Sequence, residues 1–195
     1  MSCTPQKNRK SCCKHPVGSL NSYRAIVEAY IRDYRKSLAD VLASFREMDH
    51  RDAVRHASYG LTADGKRHPH QRRLTKKTLC AVHRKLQKAN LKQYRDFDSL
   101  HRAIDRLLGI GNGAGPLMKY DTALRIGANL GVRPTRVYLH SGTRTGAMAL
   151  GSVGKEASLD PKMLPQSEFR RLKPYELEDC LCIFKDDLQE IARRS

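Results

Sequence analysis

Residues 107–116 read LLGIGNGAGP, with a glycine at every second position from 109 to 115 and a proline directly after them. A backbone carries this density of glycine only where it adopts unusual dihedral angles or approaches another group closely. Leu100 and Ile104 precede the stretch at helical spacing, and Ala123 and Ile126 resume that spacing after it. The stretch therefore predicts two amphipathic helices joined by a tight glycine hairpin.

Upstream of the hairpin, apolar side chains at three- and four-residue steps predict three more helices. They are one long helix over 21–45, a shorter helix over 51–59 that ends at Gly60, and a basic helix that follows a loop over 61–70. The inner stripe of the basic helix consists of Leu74, Leu79, Val82, Leu86 and Leu91. Asn21 or Ser22 is the expected N-cap of the long helix, and Asp96 or Asp98 caps the helix before the hairpin.

Downstream, helical spacing stops near Gly131, and residues 136–140 are predicted as a short strand or an extended connection. Small residues dominate 141–151, so we expect close packing against a neighbouring element there. Residues 165–167 precede one helix, and the last predicted helix spans 174–188.

The composition favours an all-α fold. Hydrophobic residues make up 39% of the chain and aromatic residues 6%, which suits one helical core and is too little for a wide two-sided sheet. We predict a mostly α, multi-helix single domain over 19–195, with the hairpin element at 97–131 and a basic tail at 1–18. No apolar run reaches the roughly 20 residues of a membrane span, and the N-terminus lacks the hydrophobic segment of a secretory signal. We therefore expect a cytoplasmic protein without a membrane partner.

The charge is high and uneven. The chain carries 37 Lys and Arg against 20 Asp and Glu, a net charge of +17, which favours a polyanionic partner. Residues 1–110 hold 24 basic and 10 acidic residues, whereas residues 111–195 hold 13 and 10. No acidic residue lies between Asp64 and Asp96, a window with 11 Lys and Arg. A solvated helix face is the alternative, but the missing counter-charges favour a surface for the phosphate backbone of nucleic acid.

The residues predicted to contact nucleic acid are cations of this window, the hairpin glycines and two cations beyond them. They are Lys66, Arg67, Arg72, Arg73, Lys76, Lys77, Arg84, Lys85, Gly109, Gly111, Gly113, Gly115, Lys119 and Arg144. Glycine main-chain N–H groups and the N-terminus of the next helix suit a phosphate, because both carry positive partial charge. A plain inter-helix turn is the alternative for the glycines. Tyr94 is the only aromatic ring of the window, which favours double-stranded DNA over base stacking on a single strand.

The order of helix, LLGIG hairpin and second helix resembles the helix-hairpin-helix, a phosphate-binding module of many DNA-repair proteins. Residues 115–127, GPLMKYDTALRIG, and residues 137–140, VYLH, are similar in cadence to the helix-hairpin-helix DNA glycosylase superfamily. The resemblance covers about residues 97–145. It implies contact with DNA and, in that family, a hairpin that leads to a catalytic aspartate.

This chain departs from the family pattern in two ways. Its hairpin has about four extra residues, 112–115, so Ala123 falls later than the small residue of the pattern. Where the aspartate is expected, residues 138–144 read YLHSGTR without a carboxylate, and Leu117 or Met118 stands at the position of the lysine nucleophile. The resemblance therefore implies DNA binding and argues against ordinary base excision.

Residues suited to catalysis are few. The candidate catalytic residues are His68, His70 and Asp121, and further carboxylates are Glu176, Glu178 and Asp179. A histidine with a carboxylate suits the acid–base or metal-assisted chemistry of a nuclease. The alternatives are a loop contact with phosphate for the histidines, a helix-dipole partner for Asp121, and ion pairs of the late carboxylates with nearby cations. Those cations are Arg170, Arg171 and Lys173.

A zinc site in the tail stays open as an alternative. Cys3, Cys12 and Cys13 lie near His15, and thiolates with imidazole suit that ion, but the spacing lacks a Cys-x-x-Cys and a second ligand pair. We expect reduced thiols without a structural metal. The cofactor and the oligomeric state are not indicated by the sequence.

We predict a DNA-binding protein that grips the phosphate backbone with weak sequence selectivity, in DNA repair or defence. Two alternatives stay open. The first is a nucleic-acid-processing enzyme, a nuclease or a divergent glycosylase, that uses His68, His70 and a carboxylate. The second is a basic subunit of a ribonucleoprotein or a phage-related assembly.

Overall fold

The computed structural model describes residues 18–62, 64–67, 74–110, 113–151 and 154–194. Within these residues the chain forms nine α-helices and one two-stranded sheet, so the prediction of a mostly α single domain is confirmed. Apart from Gly18, the predicted tail lies outside the described residues. Across the described ranges, no helix combines the length and the apolar character that crossing a membrane requires.

Along the described residues, six helices precede the first strand, one helix separates the two strands, and two helices follow the second strand. The helices are α1 (Tyr23–Asp33), α2 (Arg35–Glu47), α3 (His50–Tyr59), α4 (Lys76–Leu86), α5 (Phe97–Leu108), α6 (Pro116–Leu130), α7 (Ser141–Ala149), α8 (Pro174–Ile183) and α9 (Lys185–Arg194). The strands are β1 (Val137–Tyr138) and β2 (Ser158–Leu159), and short 3-10 turns span Leu91–Gln93, Pro161–Met163 and Ser167–Arg171. The helix predicted after residues 165–167 is the last of these short turns.

Helix ends follow the predicted capping residues. Gly60 ends α3 and Gly131 ends α6 in the left-handed conformation, with φ of 61° and 76°. Ser22, and not Asn21, caps α1, and Asp96 caps α5, each with a side-chain oxygen that accepts an N–H of the first turn. Local sequence chemistry therefore determines where these four helix ends lie.

The long helix predicted over 21–45 is wrong as one element, because the chain divides at Tyr34 into α1 and α2. There φ is −125°, yet the Tyr34 N–H still bonds the Tyr30 carbonyl and the Tyr34 carbonyl still accepts the Leu38 N–H. The apolar spacing continues through the break, so periodicity alone does not reveal it. The buried side chains of α1 belong to one apolar cluster of the interior and those of α2 to another.

The helix predicted over 174–188 also divides, at Phe184, into α8 and α9. The Phe184 side chain is fully buried and meets the ring of Tyr34 edge-on, with centroids 5.6 Å apart. The residues at which the two helices change direction therefore pack against each other. This tertiary contact joins positions 150 residues apart in the sequence and is not visible in local spacing.

Two apolar clusters form the interior. The first gathers side chains of α2 to α6, and the second gathers those of α1, both strands and α7 to α9. The predicted inner stripe of the basic helix faces the first cluster, since Leu79, Val82, Leu86 and Leu91 are buried and Leu74 packs at its edge. Helix α6 is buried over most of its length between α2, α3 and α5.

The small residues over 141–151 form α7, which packs closely on α8 as predicted. A Cβ atom added to Gly146 would lie 2.2 Å from the Leu181 carbonyl oxygen, and one added to Gly142 would lie 2.6 Å from Cys182 Sγ. The chain reaches α7 through β1, which pairs antiparallel with β2 and confirms a short strand within 136–140. Because α7 packs on α8, His140, the residue directly before α7, also contacts α8.

Candidate nucleic-acid interface

The glycine hairpin lies against the basic helix α4. A Cβ atom added to Gly113, which has φ of 73°, would lie 3.0 Å from Oγ1 of Thr78 in the first turn of α4. One α4 lysine, Lys85, donates from Nζ to the Leu107 carbonyl at the end of α5, at 2.8 Å. Two features that the sequence predicts separately therefore form one continuous surface.

The cations of this surface are exposed. They are Lys76, Lys77, Arg84, Lys85, Lys88, Lys92 and Arg95, which we call the α4 basic face. Within the described ranges, none of them is in an ion pair with a carboxylate. Elsewhere exposed cations do pair, as Lys36 does with Asp40 at 3.0 Å and Arg194 with Glu190 at 2.9 Å. Unneutralised positive charge thus extends from α4, which meets the hairpin, to Arg95 at the opposite end of α5.

The hairpin presents main chain rather than side chains. Gly109 ends α5 with φ of 62°, and Gly115 precedes α6 without a side-chain cap for the N–H groups of its first turn. Gly113, Gly115 and Pro116 are exposed, and Ile110 at the hairpin tip is fully exposed. Uncapped N–H groups at an exposed helix N-terminus suit an anion.

Two predicted contact residues hold the loop before α4. Lys66 pairs with Asp64 at 2.8 Å, so its charge is partly neutralised within the loop. Arg67 bridges to Leu61 across the loop and donates to the Leu74 carbonyl at 3.4 Å. These two cations therefore stabilise the loop, and Arg67 lines a small pocket together with His83 of α4.

Two further predicted contact residues lie on the far side of the hairpin. Lys119 is buried in the first turns of α6 and pairs with Asp105 at 2.8 Å. Arg144 donates to the carbonyl oxygens of Gly154 at 2.8 Å and Glu156 at 2.5 Å. Both side chains line a separate cavity and are not part of the α4 basic face.

Several predicted residues lie outside the described ranges. They are the nucleic-acid candidates Arg72, Arg73 and Gly111, the catalytic candidates His68 and His70, and the tail residues Cys3, Cys12, Cys13 and His15. The third catalytic candidate, Asp121, lies on α6, where its Oδ2 is 3.9 Å from Nη2 of Arg125. In the described ranges, no group of three or more His, Cys, Asp or Glu side chains is arranged to hold a metal ion.

Asp121 lines a cavity of about 380 Å³ between α2, α6 and α8. Six leucine, valine and isoleucine side chains line the cavity. The acidic, basic and histidine side chains of its lining are Asp121, Arg125, His140, Glu178 and Asp179. Arg125 is buried, and its Nη1 atom finds no hydrogen-bond partner among the described residues.

His140 and Glu178 form a buried pair at the edge of this cavity. The imidazole donates from Nε2 to Oε1 of Glu178, and Thr143 donates its hydroxyl to the same carboxylate oxygen at 2.9 Å. Burial lowers the pKa of His140, but the hydrogen bond to Glu178 and the charges of nearby carboxylates outweigh it, so the pKa is raised. The buried contact with Glu178 thus favours the protonated form of the His140 imidazole.

Asp179 accepts a hydrogen bond from the Tyr30 hydroxyl at 3.1 Å. Burial, together with the charge of Glu178, raises the pKa of Asp179 from 3.8 to about 7. Between these two pH values the unfolded chain is ionised at this site while the folded chain keeps its proton. The unfolded state then binds fewer protons, so this group lowers stability as pH rises from about 4 to about 7.

Replacing Asp179 by asparagine is therefore expected to stabilise the fold at pH 8 by about 2 to 4 kcal/mol and to have little effect at pH 4. Asparagine keeps an oxygen that accepts the Tyr30 hydroxyl and removes the group that ionises. Urea unfolding at both pH values measures the difference, with the exposed Glu47→Gln as a matched control. Equal changes at pH 4 and pH 8 would contradict the assignment.

The partners of the late carboxylates differ from the ion pairs considered from sequence. Glu178 contacts His140 and Thr143, and Asp179 contacts Tyr30, whereas the nearby Arg170, Arg171 and Lys173 form no ion pair with them. The available signal was the placement of acidic residues among leucine and cysteine side chains of α8, which is the pattern of carboxylates on a buried helix face.

No protein-family model, no curated protein and no solved structure matches this chain. The α4 basic face and the cavity are therefore interpreted from their own geometry and charge.

Proposed function

We propose that this protein binds double-stranded DNA through the α4 basic face and the adjacent glycine hairpin. The observation that carries the proposal is the contact of Gly113 with Thr78, which places the hairpin main chain beside exposed lysines. Lysine and arginine side chains neutralise phosphates along a duplex, and main-chain N–H groups of the hairpin add directed hydrogen bonds. A helix-hairpin-helix-like use of α5 and α6 is part of this proposal.

The chemistry of the face favours backbone contact over base reading. Its lysine and arginine side chains suit the phosphates of any sequence, so we expect weak sequence selectivity. Tyr94 is half-buried and is the one ring close in sequence to these cations, which offers little platform for stacking single-stranded bases. The proposed partner is therefore duplex DNA, and a place in DNA repair or defence follows only from the resemblance.

The affinity for duplex DNA is expected to depend strongly on salt. If the face neutralises six or more phosphates, affinity falls by roughly 10³-fold or more between 50 and 200 mM salt, because binding releases condensed counterions. Titration of a labelled duplex by fluorescence anisotropy across a salt series measures the slope. A shallow slope would remove the α4 basic face as the binding surface.

Competition with RNA distinguishes binding of duplex DNA from a role as a basic subunit of a ribonucleoprotein. A structured RNA of equal length is added to the preformed complex with duplex DNA. Displacement at equal or lower concentration would favour a basic subunit of a ribonucleoprotein, because A-form RNA is held mainly through phosphates and 2′-hydroxyls. Poor displacement of the duplex by RNA would support duplex DNA as the partner.

A nucleic-acid-processing enzyme is the second candidate, and the buried His140–Glu178 pair beside Asp121 is the observation that favours it. A histidine held by a carboxylate next to a second carboxylate suits acid–base chemistry. Long incubation of the complex with Mg²⁺, followed by a denaturing gel, tests this candidate. Cleaved strands that disappear with Asp121→Asn would support an enzyme, and intact strands leave the binding function.

A further inference from the structure

A second cavity, of about 610 Å³, lies on the side of α5 and α6 away from the α4 basic face. Its walls come from α5, the first turns of α6, the two strands and the first turn of α7. Its volume falls in the range of cavities that hold small organic ligands. The DNA-binding proposal makes no use of it.

Positive charge dominates the lining of this cavity. The cations are Arg102, Lys119, Arg136, Arg144 and Lys155, against two carboxylates, Asp98 and Asp105. Both carboxylates are already engaged, since Asp98 accepts the Tyr138 hydroxyl and Asp105 pairs with Lys119. The remaining charge is cationic, so the cavity suits an anionic group.

Neutral acceptors position two of the arginines. Arg136 donates to Oγ and the carbonyl oxygen of Ser158, at 2.9 and 3.2 Å, and Arg144 donates to the carbonyl oxygens of Gly154 and Glu156. Because no carboxylate holds these guanidinium groups, they keep their full charge in a fixed orientation. Preorganised guanidinium groups are suited to a phosphate.

The same cavity has aromatic walls. The rings of His101 and Tyr138 have centroids 4.4 Å apart, and those of Tyr120 and Tyr138 are 5.5 Å apart. His101 and Tyr138 are only partly buried, so part of their ring surface faces the cavity. Burial lowers the pKa of His101, which leaves the ring neutral at neutral pH. A flat heteroaromatic group can stack on such rings.

We infer that this cavity binds a nucleotide, with its phosphate on the arginine and lysine side chains and its base against His101 and Tyr138. The nucleotide is either free or the 5′-phosphorylated end of a nucleic-acid strand, since both present the same phosphate and base. The inference does not rest on duplex binding, because the α4 basic face shares no residue with this cavity and Pro116 is the one residue beside the hairpin that the structure gives in its lining.

Isothermal titration with adenosine 5′-monophosphate tests the inference directly. We expect saturable binding with a Kd below about 1 mM, and binding at least about tenfold weaker for inorganic phosphate alone and for adenosine alone. Equal affinity for phosphate and for the nucleotide would overturn the aromatic part of the site. Absence of saturable nucleotide binding would overturn the whole inference.

The variant that locates the site is Arg102→Gln with Lys155→Gln. Both side chains are exposed, and their removal breaks no ion pair among the described residues, so the fold is expected to persist. Affinity for the nucleotide should fall at least about tenfold, whereas the matched pair Lys162→Gln with Arg170→Gln, on the 3-10 turns, should leave it unchanged. Equal loss in both double variants would contradict the assignment to this cavity.

Binding of oligonucleotides distinguishes a free nucleotide from the 5′-phosphorylated end of a strand as the ligand. A single strand with a 5′-phosphate is compared with the same strand carrying a 5′-hydroxyl, in a protein whose α4 basic face has been neutralised. Preference for the phosphorylated end identifies a strand terminus as the ligand, and equal weak binding beside tight mononucleotide binding identifies the free form. Failure of duplex binding would leave these results unaffected.

Discussion

Replacing Gly146 by alanine is expected to destabilise the fold by about 3 kcal/mol or more. The added methyl group would lie 2.2 Å from the Leu181 carbonyl oxygen, and a main-chain atom of α8 cannot turn aside as a flexible side chain would. Relief requires α7 and α8 to separate, which exposes apolar surface of the second core cluster. Since domains of this size are stable by only about 5 to 15 kcal/mol, this change would remove a large part of the free energy of unfolding.

Urea unfolding followed by circular dichroism measures this effect. The matched control is Gly115→Ala, where a Cβ atom meets nothing within 4 Å and φ is −71°, an ordinary value for any residue. Its stability should change by less than about 1 kcal/mol. A Gly146→Ala protein as stable as the control would show that α7 and α8 do not approach each other this closely.

The same contact has a consequence for the cavities. His140 directly precedes α7 and Glu178 lies on α8, so the close approach of the two helices holds the buried pair together. The side chain of His140 lines both the 380 Å³ and the 610 Å³ cavity. We therefore expect loosening of α7 to disturb both cavities. The buried side chains of α4 belong to the other core cluster, so we expect the α4 basic face to be less affected.

The local sequence was sufficient to predict these helix ends and the buried stripe of the basic helix. Gly60, Gly131 and Asp96 act through their own backbone or side chain within one turn, so their roles do not depend on distant partners. The divisions at Tyr34 and Phe184 were missed because each follows from a contact between distant parts of the chain. Helical hydrogen bonding continues across both divisions, so the apolar period is almost unchanged.

The candidate sites follow the same rule. The excess of cations before residue 96 and the density of glycine in the hairpin are local, and both could be predicted. Their contact through Gly113 and Thr78 depends on how α4 packs against α5, which no spacing encodes. The pair of His140 with Glu178 joins residues 38 positions apart, and the sequence indicated only that acidic residues lie among apolar ones in α8.

Neutralising the α4 basic face is expected to weaken duplex binding by about 10³-fold at 100 mM salt. The variant replaces Lys76, Lys77, Arg84 and Lys88 by glutamine, which removes four exposed charges and no ion pair among the described residues. Each phosphate contact contributes about 0.9 to the slope of log affinity against log salt concentration, so the slope should fall by about 3 to 4. The affinities of the variant and the parent should converge as salt approaches 1 M.

A matched control variant distinguishes DNA binding at a local surface from attraction of DNA by the net charge of the protein. Arg24, Lys162, Arg170 and Lys173 are equally exposed, form no ion pair among the described residues, lie with the second core cluster, and lose the same four charges when replaced by glutamine. If DNA lies on the α4 basic face, the control keeps the parental slope and loses less than about tenfold in affinity, because charges beyond about 10 Å are largely screened at 0.1 M salt. Equal losses in the two variants would mean that net charge alone attracts DNA, and the hairpin would have no part in binding.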